Sequence, residues 1–372
     1  MASNIIHLTE NGPASDAVEA TVEALRGGKL VVFPTETVYG LGALASNAEA
    51  LSRLISAKGR KSGHALPVAI SGYAALKKYA PQIDPISERL ARRCWPGPVT
   101  LVVDTSSPQS PMNALPELAR QAIMPVGSTG FRVPDQPVFL EILRQLDEPV
   151  VLTSANLTGE PPAVSAADAK VGLHDSPDLI LDAGPARYRT PSTVIAVDGN
   201  RINMIREGAF PKEKIKQMTV KIILFVCTGN TCRSPMAEMI CSQMLAKRLS
   251  CEIGELEENG YMVMSAGVAT FCGASASRAA REVMAARGLS LDDHQSQSLG
   301  PELLRFADRI YVMGRSHRDA INAEWPGNDD RVCVLSPDRS DISDPLGGDY
   351  TVYNACAKQI ESAISARMEE IL

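Results

Sequence analysis

Residues 220–226 (VKIILFV) run without a break into the polar octapeptide CTGNTCRS, and that into residues 235–249, where apolar side chains recur at helical spacing. Strand, short polar turn and helix in that order open a doubly wound α/β domain. A parallel strand needs a crossover helix, and such a sheet gathers its ligands at the strands' carboxyl ends. A second apolar run at 310–313 reads as another strand. Residues 353–372 read as a closing helix with Ala357, Ile360, Ile364 and Met368 on one face.

Upstream, a separate alternation of strand-like and helix-like stretches begins near residue 29. Residues 29–34 (KLVVFP) read as a buried strand, and 48–58 as a helix with Leu51, Leu54 and Ile55 at helical spacing. Strands follow at 66–70, 99–103, 150–152, 180–182 and 194–197, with loops rich in Pro, Gly and Ser between them. Residues 209–219 carry three lysines and no clear core pattern, which marks them as a linker. The expected organisation is therefore α/β in two domains: a twisted mixed-sheet domain over 1–208 and a doubly wound parallel-sheet domain over 220–372. At 372 residues each domain is long enough for its own core.

Composition narrows the class. A net charge of −6 argues against indiscriminate nucleic-acid binding, which rests on Lys and Arg neutralising phosphates. No apolar run approaches the roughly 18 residues of a membrane helix, and the start, MASNIIHLTE, lacks the pattern of an export signal. A cytoplasmic location without membrane association is the expectation. Of eight cysteines only Cys94 precedes residue 220, and their spacings fit no zinc pattern, so most read as buried reduced thiols.

The octapeptide carries its own chemistry. A loop that closes onto a helix N-terminus turns successive backbone N–H groups inward and makes an anion cradle. Gly229 and Asn230 tolerate the positive φ such a nest requires. Arg233 offers a planar fork for two phosphate oxygens, Ser234 suits the N-cap, and Pro235 suits the first helical turn. Cys227 stands at the strand's end beside these donors, placed to attack bound phosphate as a thiolate and form a phospho-cysteine. The order of a nucleotide P-loop, G-x-x-x-x-G-K-[ST], is missing.

This stretch resembles the low-molecular-weight protein tyrosine phosphatase family, and the resemblance runs over about 220–372. It implies Cys227 as nucleophile, Arg233 as phosphate ligand, and a loop of Thr228, Gly229, Asn230, Thr231, Cys232 and Ser234. Ser234 would steady the thiolate. The family's general acid, the Asp of an Asp-Pro pair, maps onto Asp344 before Pro345, with Asp341 and Asp349 as nearby surface carboxylates. CTGNTCRSPMAE is most similar to the protein arginine phosphatase branch, in which Thr stands at the position of Thr231; tyrosine-specific members carry Ile or Leu there. Leu346 departs from that branch, where an aromatic follows the Asp-Pro. Arsenate reductases of the same fold need a downstream Cys pair, and MGRSHRDAIN holds none. Cys232 offers a protective disulfide to Cys227 under oxidation, or simply packs the loop.

In the first half, five separated segments stand out: PTETVYGLG at 34–42, KGRK at 58–61, WPGPVT at 95–100, GFRVPD at 130–135 and LTSANLTG at 152–159. Ser192 and Arg206 complete the set. Together they resemble the YrdC-type threonylcarbamoyl-AMP synthases over about 5–208. The resemblance implies a reaction joining L-threonine, bicarbonate and ATP, for the tRNA-modification machinery that makes threonylcarbamoyladenosine. Thr35, Arg132 and Ser192 would hold threonine. Lys58, Arg60, Ser154, Asn156 and Arg206 would hold ATP, whose phosphates carry Mg2+. One departure bears on the polar lining of the threonine pocket: His64-Ala65-Leu66 and Ala69 stand where many relatives have Asn-Pro-Leu and a later His. The chain is thus expected to join a nucleotide-using synthase to a phosphatase acting on phosphorylated proteins. Phosphotyrosine as substrate, or a first domain that binds nucleotide or RNA without turnover, are the alternatives.

Overall fold

In a computed structural model the described residues are 4–8, 15–59, 65–173, 177–199 and 201–372. The chain divides between Met218 and Thr219 into two compact units.

The first unit is built on one mixed sheet. Its strands are β1 (Asn4–His7), β2 (Val31–Phe33), β3 (Gly40–Leu44), β4 (Val68–Ala69), β5 (Val99–Asp104), β6 (Ser128–Arg132), β7 (Val150–Ser154), β8 (Leu179–Asp182), β9 (Thr193–Asp198) and β10 (Arg201–Arg206). They lie in the order β1-β8-β2-β3-β7-β4-β6-β5-β9-β10. Parallel pairs (β1/β8, β2/β8, β4/β6, β5/β9) mix with antiparallel ones such as β2/β3, β3/β7 and β5/β6.

Alternate residues feed two cores. Val32, Val68, Val151 and Ile180 join one cluster; Val31, Phe33, Val150, Leu152, Leu179 and Leu181 join the other. This period of two is what a sheet covered on both faces requires. Phe33 stacks on Phe139 with ring centroids 4.0 Å apart. β3 needs its glycines to accommodate this packing: a Cβ on Gly42 would sit 2.8 Å from Phe33 Cε2, and one on Gly40 2.7 Å from Leu152 Cδ1.

The stretch expected as a linker is ordered. Lys212–Thr219 is a helix, its Ile215 is 2% exposed within the first unit's core, and Phe210 and Met218 pack against the same cluster. Three apolar residues spread among lysines are a weak periodic signal, and tertiary packing completes the helix.

The second unit has four strands, β11 (Lys221–Cys227), β12 (Tyr261–Gly267), β13 (Arg309–Val312) and β14 (Val332–Val334), in the order β12-β11-β13-β14. All pairs are parallel. Ile223, Phe225 and Tyr311 point into one core with the helices Arg233–Leu249 and Tyr350–Ala366. Ile222, Leu224, Val226 and Ile310 point into the other. Helices on both faces make the sheet doubly wound, and the strand order reverses beside β11, at whose carboxyl end Cys227 lies. All eight cysteines are free thiols, five of them buried. No helix among the described residues is long and apolar enough to cross a membrane.

Candidate active sites

Cys227 ends β11 and Arg233 begins the next helix, so residues 228–232 span the gap as a tight loop. Asn230 holds it. Its backbone is left-handed (φ 52°) and its side chain is fully buried. The Oδ1 atom accepts the Gln297 N–H at 2.8 Å, which turns the amide so that Nδ2 donates to Ser234 Oγ at 2.9 Å and to Ser265 Oγ at 2.8 Å. Ser265 in turn donates to Glu238 Oε2 at 2.6 Å. Burial pushes the Glu238 carboxyl above the ordinary range, against the Ser265 hydroxyl and the His294 charge. The Ser234 hydroxyl, which accepts from Asn230, lies 2.9 Å from Cys227 Sγ. The Asn230 N–H reaches the same sulfur at 3.3 Å. Cys227 is 3% exposed at the floor of this cradle.

Arg233 brings its guanidinium to Asp344: Nη2 donates to Oδ2 at 2.5 Å, while Nη1 reaches the Ile342 carbonyl. The arginine is buried and the Asp344 carboxylate half exposed. Of the two neighbouring carboxylates, Asp349 caps the helix Tyr350–Ala366 by accepting from the Val352 N–H, and Asp341 accepts from the Arg315 N–H. The Cys232 thiol lies 3.1 Å from the Tyr353 hydroxyl. Thr231 is half-buried, with its carbonyl accepting the Ser277 N–H. Thr228 lies exposed beside the sulfur, and the Gly229 carbonyl accepts the Thr270 hydroxyl. Sequence reasoning missed Ser265, Gln297, His294 and His317, which come from distant segments. Ser265 alone left a signal, as a polar residue in the apolar strand YMVMSAG.

The first unit contains a cavity of about 620 Å³, and Thr35, Arg132, Ser154, Ser192 and Arg206 all line it. Arg132 enters at the end of β6, buried. Its Nη2 donates to Glu36 Oε1 and Thr37 Oγ1, both at 2.8 Å, and its Nε to the Gly97 carbonyl. Nη1 has no protein partner among the described residues. Glu36 was absent from the expected set although it lies inside PTETVYG. It is buried, and its second oxygen accepts the Asp135 N–H at 3.0 Å. Ser192 Oγ lies 2.9 Å from Thr100 Oγ1 and accepts from Arg206 Nη2 at 3.1 Å. Partial withdrawal from water, then the like charge of Arg132, hold the Arg206 pKa below the ordinary arginine value. The Thr35 hydroxyl is used in its own turn, donating to the Val38 carbonyl at 2.7 Å.

Two expected ATP ligands stand behind the wall rather than in it. Lys58 is buried, and its ammonium donates to the Ser154 carbonyl at 2.6 Å and to the Asn156 carbonyl. The Asn156 amide donates to the Leu157 and Glu160 carbonyls, while its buried Oδ1 finds no partner among the described residues. Arg60 and His64 lie outside the described residues. Ala65, Leu66 and Ala69 do line the cavity, and Ala69, expected at the position of a His, is apolar there. Burial pushes the phenol of Tyr39, another lining residue, up to about 12.

Comparison with known proteins assigns each half. The family model described as telomere recombination, covering Sua5, YciO and YrdC proteins, matches residues 23–208. The one described as low molecular weight phosphotyrosine protein phosphatase matches residues 222–372. The threonylcarbamoyl-AMP synthase of Pyrococcus abyssi is 34% identical over 198 residues, 53% of this chain and 56% of that protein, so the chain spans little more than half of that relative. The threonylcarbamoyl-AMP synthase of Chromohalobacter salexigens is 33% identical over 180 residues, 48% of this chain and 92% of that protein. The solved YwlE arginine phosphatase from Geobacillus stearothermophilus is 34% identical, covering 41% of this chain and 92% of that one with a TM-score of 0.36. Through its first unit the chain belongs to the Sua5/YciO/YrdC family, and through its second to the low molecular weight phosphotyrosine protein phosphatase family.

Proposed function

We propose that the chain is a bifunctional enzyme: residues 1–208 a threonylcarbamoyl-AMP synthase, 209–219 the connection, and 220–372 a cysteine-dependent phosphatase of phosphorylated proteins. The second reading is carried by one arrangement. A thiol sits over an anion cradle with an arginine fork and a half-exposed carboxylate on the same side. Cys227 attacks phosphorus as a thiolate. The Sγ–P bond forms as the bond to the leaving atom breaks, and Asp344 gives that atom its proton. Asp344 then takes a proton from water, whose oxygen displaces the sulfur and releases phosphate. Arg233 pairs with Asp344, and the substrate's oxygens would replace the carboxylate on the guanidinium and free it for this work.

Phosphoarginine is the preferred leaving-group class, supported by Thr231, whose hydroxyl and small size suit a planar guanidinium at the mouth. The exposed Leu346 beside Asp344 favours a flat apolar group and makes phosphotyrosine the second reading. Phosphate release from phosphoarginine and phosphotyrosine peptides, side by side with Cys227→Ser, tests both. Thr231→Ile should move the ratio of the two kcat/KM values toward phosphotyrosine, and an unmoved ratio removes the role given to Thr231.

For the first unit the supporting observation is the convergence of the Arg132 and Arg206 guanidiniums with Thr35, Ser154 and Ser192 on one cavity. Arg132, through Nη1, suits the threonine carboxylate, with Thr35 and Ser192 beside it. Arg206 and Ser154, which line the cavity, suit the phosphates of ATP, while Lys58 and Asn156 brace the Ser154 segment from behind; Arg60 keeps only the role that the resemblance implies. The lining supplies cations and hydroxyls rather than free carboxylates, so Mg2+ would arrive with the nucleotide. Such a site works by positioning and charge neutralisation, with bicarbonate and threonine joined before transfer to AMP. Pyrophosphate release that needs threonine and bicarbonate together is the test. ATP binding with no pyrophosphate release under any of these conditions would favour a nucleotide-binding module, and the supply of threonylcarbamoyl-AMP to tRNA modification in the cytoplasm follows only from the first outcome.

A further inference from the structure

His317 is the third residue of the helix Arg315–Glu324, 6% exposed, with Nε2 2.9 Å from Thr228 Oγ1. Its Nδ1 is buried and has no hydrogen-bond partner among the described residues. The charged groups that act on it from neighbouring elements are Arg233, Asp341 and Asp344. Burial first, then Arg233, hold its pKa below the ordinary imidazole value, so the ring is neutral near pH 7.

A neutral imidazole has one N–H and two places for it. On Nδ1 it would be a buried donor, because the weak influence of the Gly314 carbonyl on the ring falls short of hydrogen-bond geometry, and this is a fault of about 1–3 kcal/mol. On Nε2 it donates to Thr228, and only a lone pair goes unmatched, the fault that folded proteins tolerate more readily. The hydrogen therefore sits on Nε2. Thr228 accepts it, and its own hydroxyl hydrogen is turned away from the helix. Thr228 is exposed and follows Cys227 directly, so the freed hydrogen is available to a group bound over that cysteine.

The geometry points to His317 as a positioning residue that makes the Thr228 hydroxyl a fixed donor to an oxygen of the bound phosphoryl group. The inference rests on the phosphatase reading and adds to it a donor outside the backbone cradle and Arg233. The pair acts in series, since His317 reaches the substrate only through Thr228.

The test is hydrolysis of p-nitrophenyl phosphate by the full chain, with inorganic phosphate as competitive inhibitor. Thr228→Val and His317→Leu should each lower kcat/KM and weaken phosphate about tenfold, the loss of one hydrogen bond to a charged group. The double variant should lose no more than either single. His317→Gln restores an N–H at similar reach and should recover most of the loss, which a merely space-filling role would not produce. Additive losses, unchanged phosphate inhibition, or a Gln variant as impaired as Leu would overturn the proposal alone. Hydrolysis that survives Cys227→Ser would overturn the phosphatase reading and the proposal with it.

Discussion

Glu36→Gln tests the electrostatics of the first cavity without reference to its substrates. In the native protein the Arg132 and Glu36 side chains are 9% and 2% exposed and 2.8 Å apart. Glu36 also accepts the Asp135 N–H. A glutamine amide has one acceptor oxygen for these two donors, so one of them faces an NH₂ group, and the arginine keeps a buried charge without a counter-ion. Breaking such a pair costs about 3–5 kcal/mol. The hydrogen bond that glutamine retains places the expectation near the lower end, about 3 kcal/mol. At about 2–4 °C per kcal/mol for a unit of this size, the first unit should melt roughly 6–12 °C lower.

Each unit has one tryptophan. In a Trp325→Phe background the buried Trp95, whose indole N–H donates to the Val99 carbonyl, reports the first unit alone. Arg132→Gln added to Glu36→Gln removes the orphaned charge, so the double variant should lose less than the sum of the singles. A single-variant loss below about 1 kcal/mol, or strict additivity, would refute the reasoning.

Asp344→Asn should lower kcat on a phosphopeptide by about 10²–10⁴-fold. It should cost much less on p-nitrophenyl phosphate, whose leaving group needs no proton, and equal losses on both would remove Asp344 as the acid. Asn230→Ala leaves the Gln297 N–H without its acceptor and puts a non-glycine, non-Asn residue at φ 52°. About 2–4 kcal/mol of second-unit stability should go, read from Trp325 fluorescence in urea with Trp95→Phe; a change within experimental error would discount the network. Burial raises the Glu238 pKa. Its protonated form therefore adds stability below the ordinary glutamate value of about 4.3, and this is lost as pH rises through the raised value. Glu238→Gln should melt higher than the native protein at pH 8, with the gap closing on acidification toward the ordinary value. A gap independent of pH would contradict the assignment.

Several strands left no trace in the sequence. β3 (GLGAL) and β6 (STGFR) lack apolar alternation, and their conformation comes from partners on both sides: β3 between β2 and β7, β6 between β4 and β5. The helix in 212–219 likewise forms because Ile215 finds a core. Strands that are apolar runs in their own right, such as β2, β5, β7 and β11, were legible within a residue or two.

The sequence by itself showed two separate α/β units and a strand–loop–helix at 220–249 with the residues of an anion cradle, but it ended the first unit at 208, ten residues before the structural division. Cys227, Asn230, Arg233 and Ser234 are eight consecutive positions wide, and a loop entering a helix offers inward N–H groups wherever it occurs. Only the tertiary structure decided what surrounds that loop. Asp344 reaches Arg233 across 111 positions, Ser265 reaches Asn230 across 35, and His317 reaches Thr228 across 89. It also decided that Arg132 is held by Glu36, and that Lys58 and Asn156 stand behind the cavity wall. Periodicity and local turn chemistry act over a few residues, whereas which side chains share a cavity depends on how sheets and helices pack, and packing is a property of the whole unit.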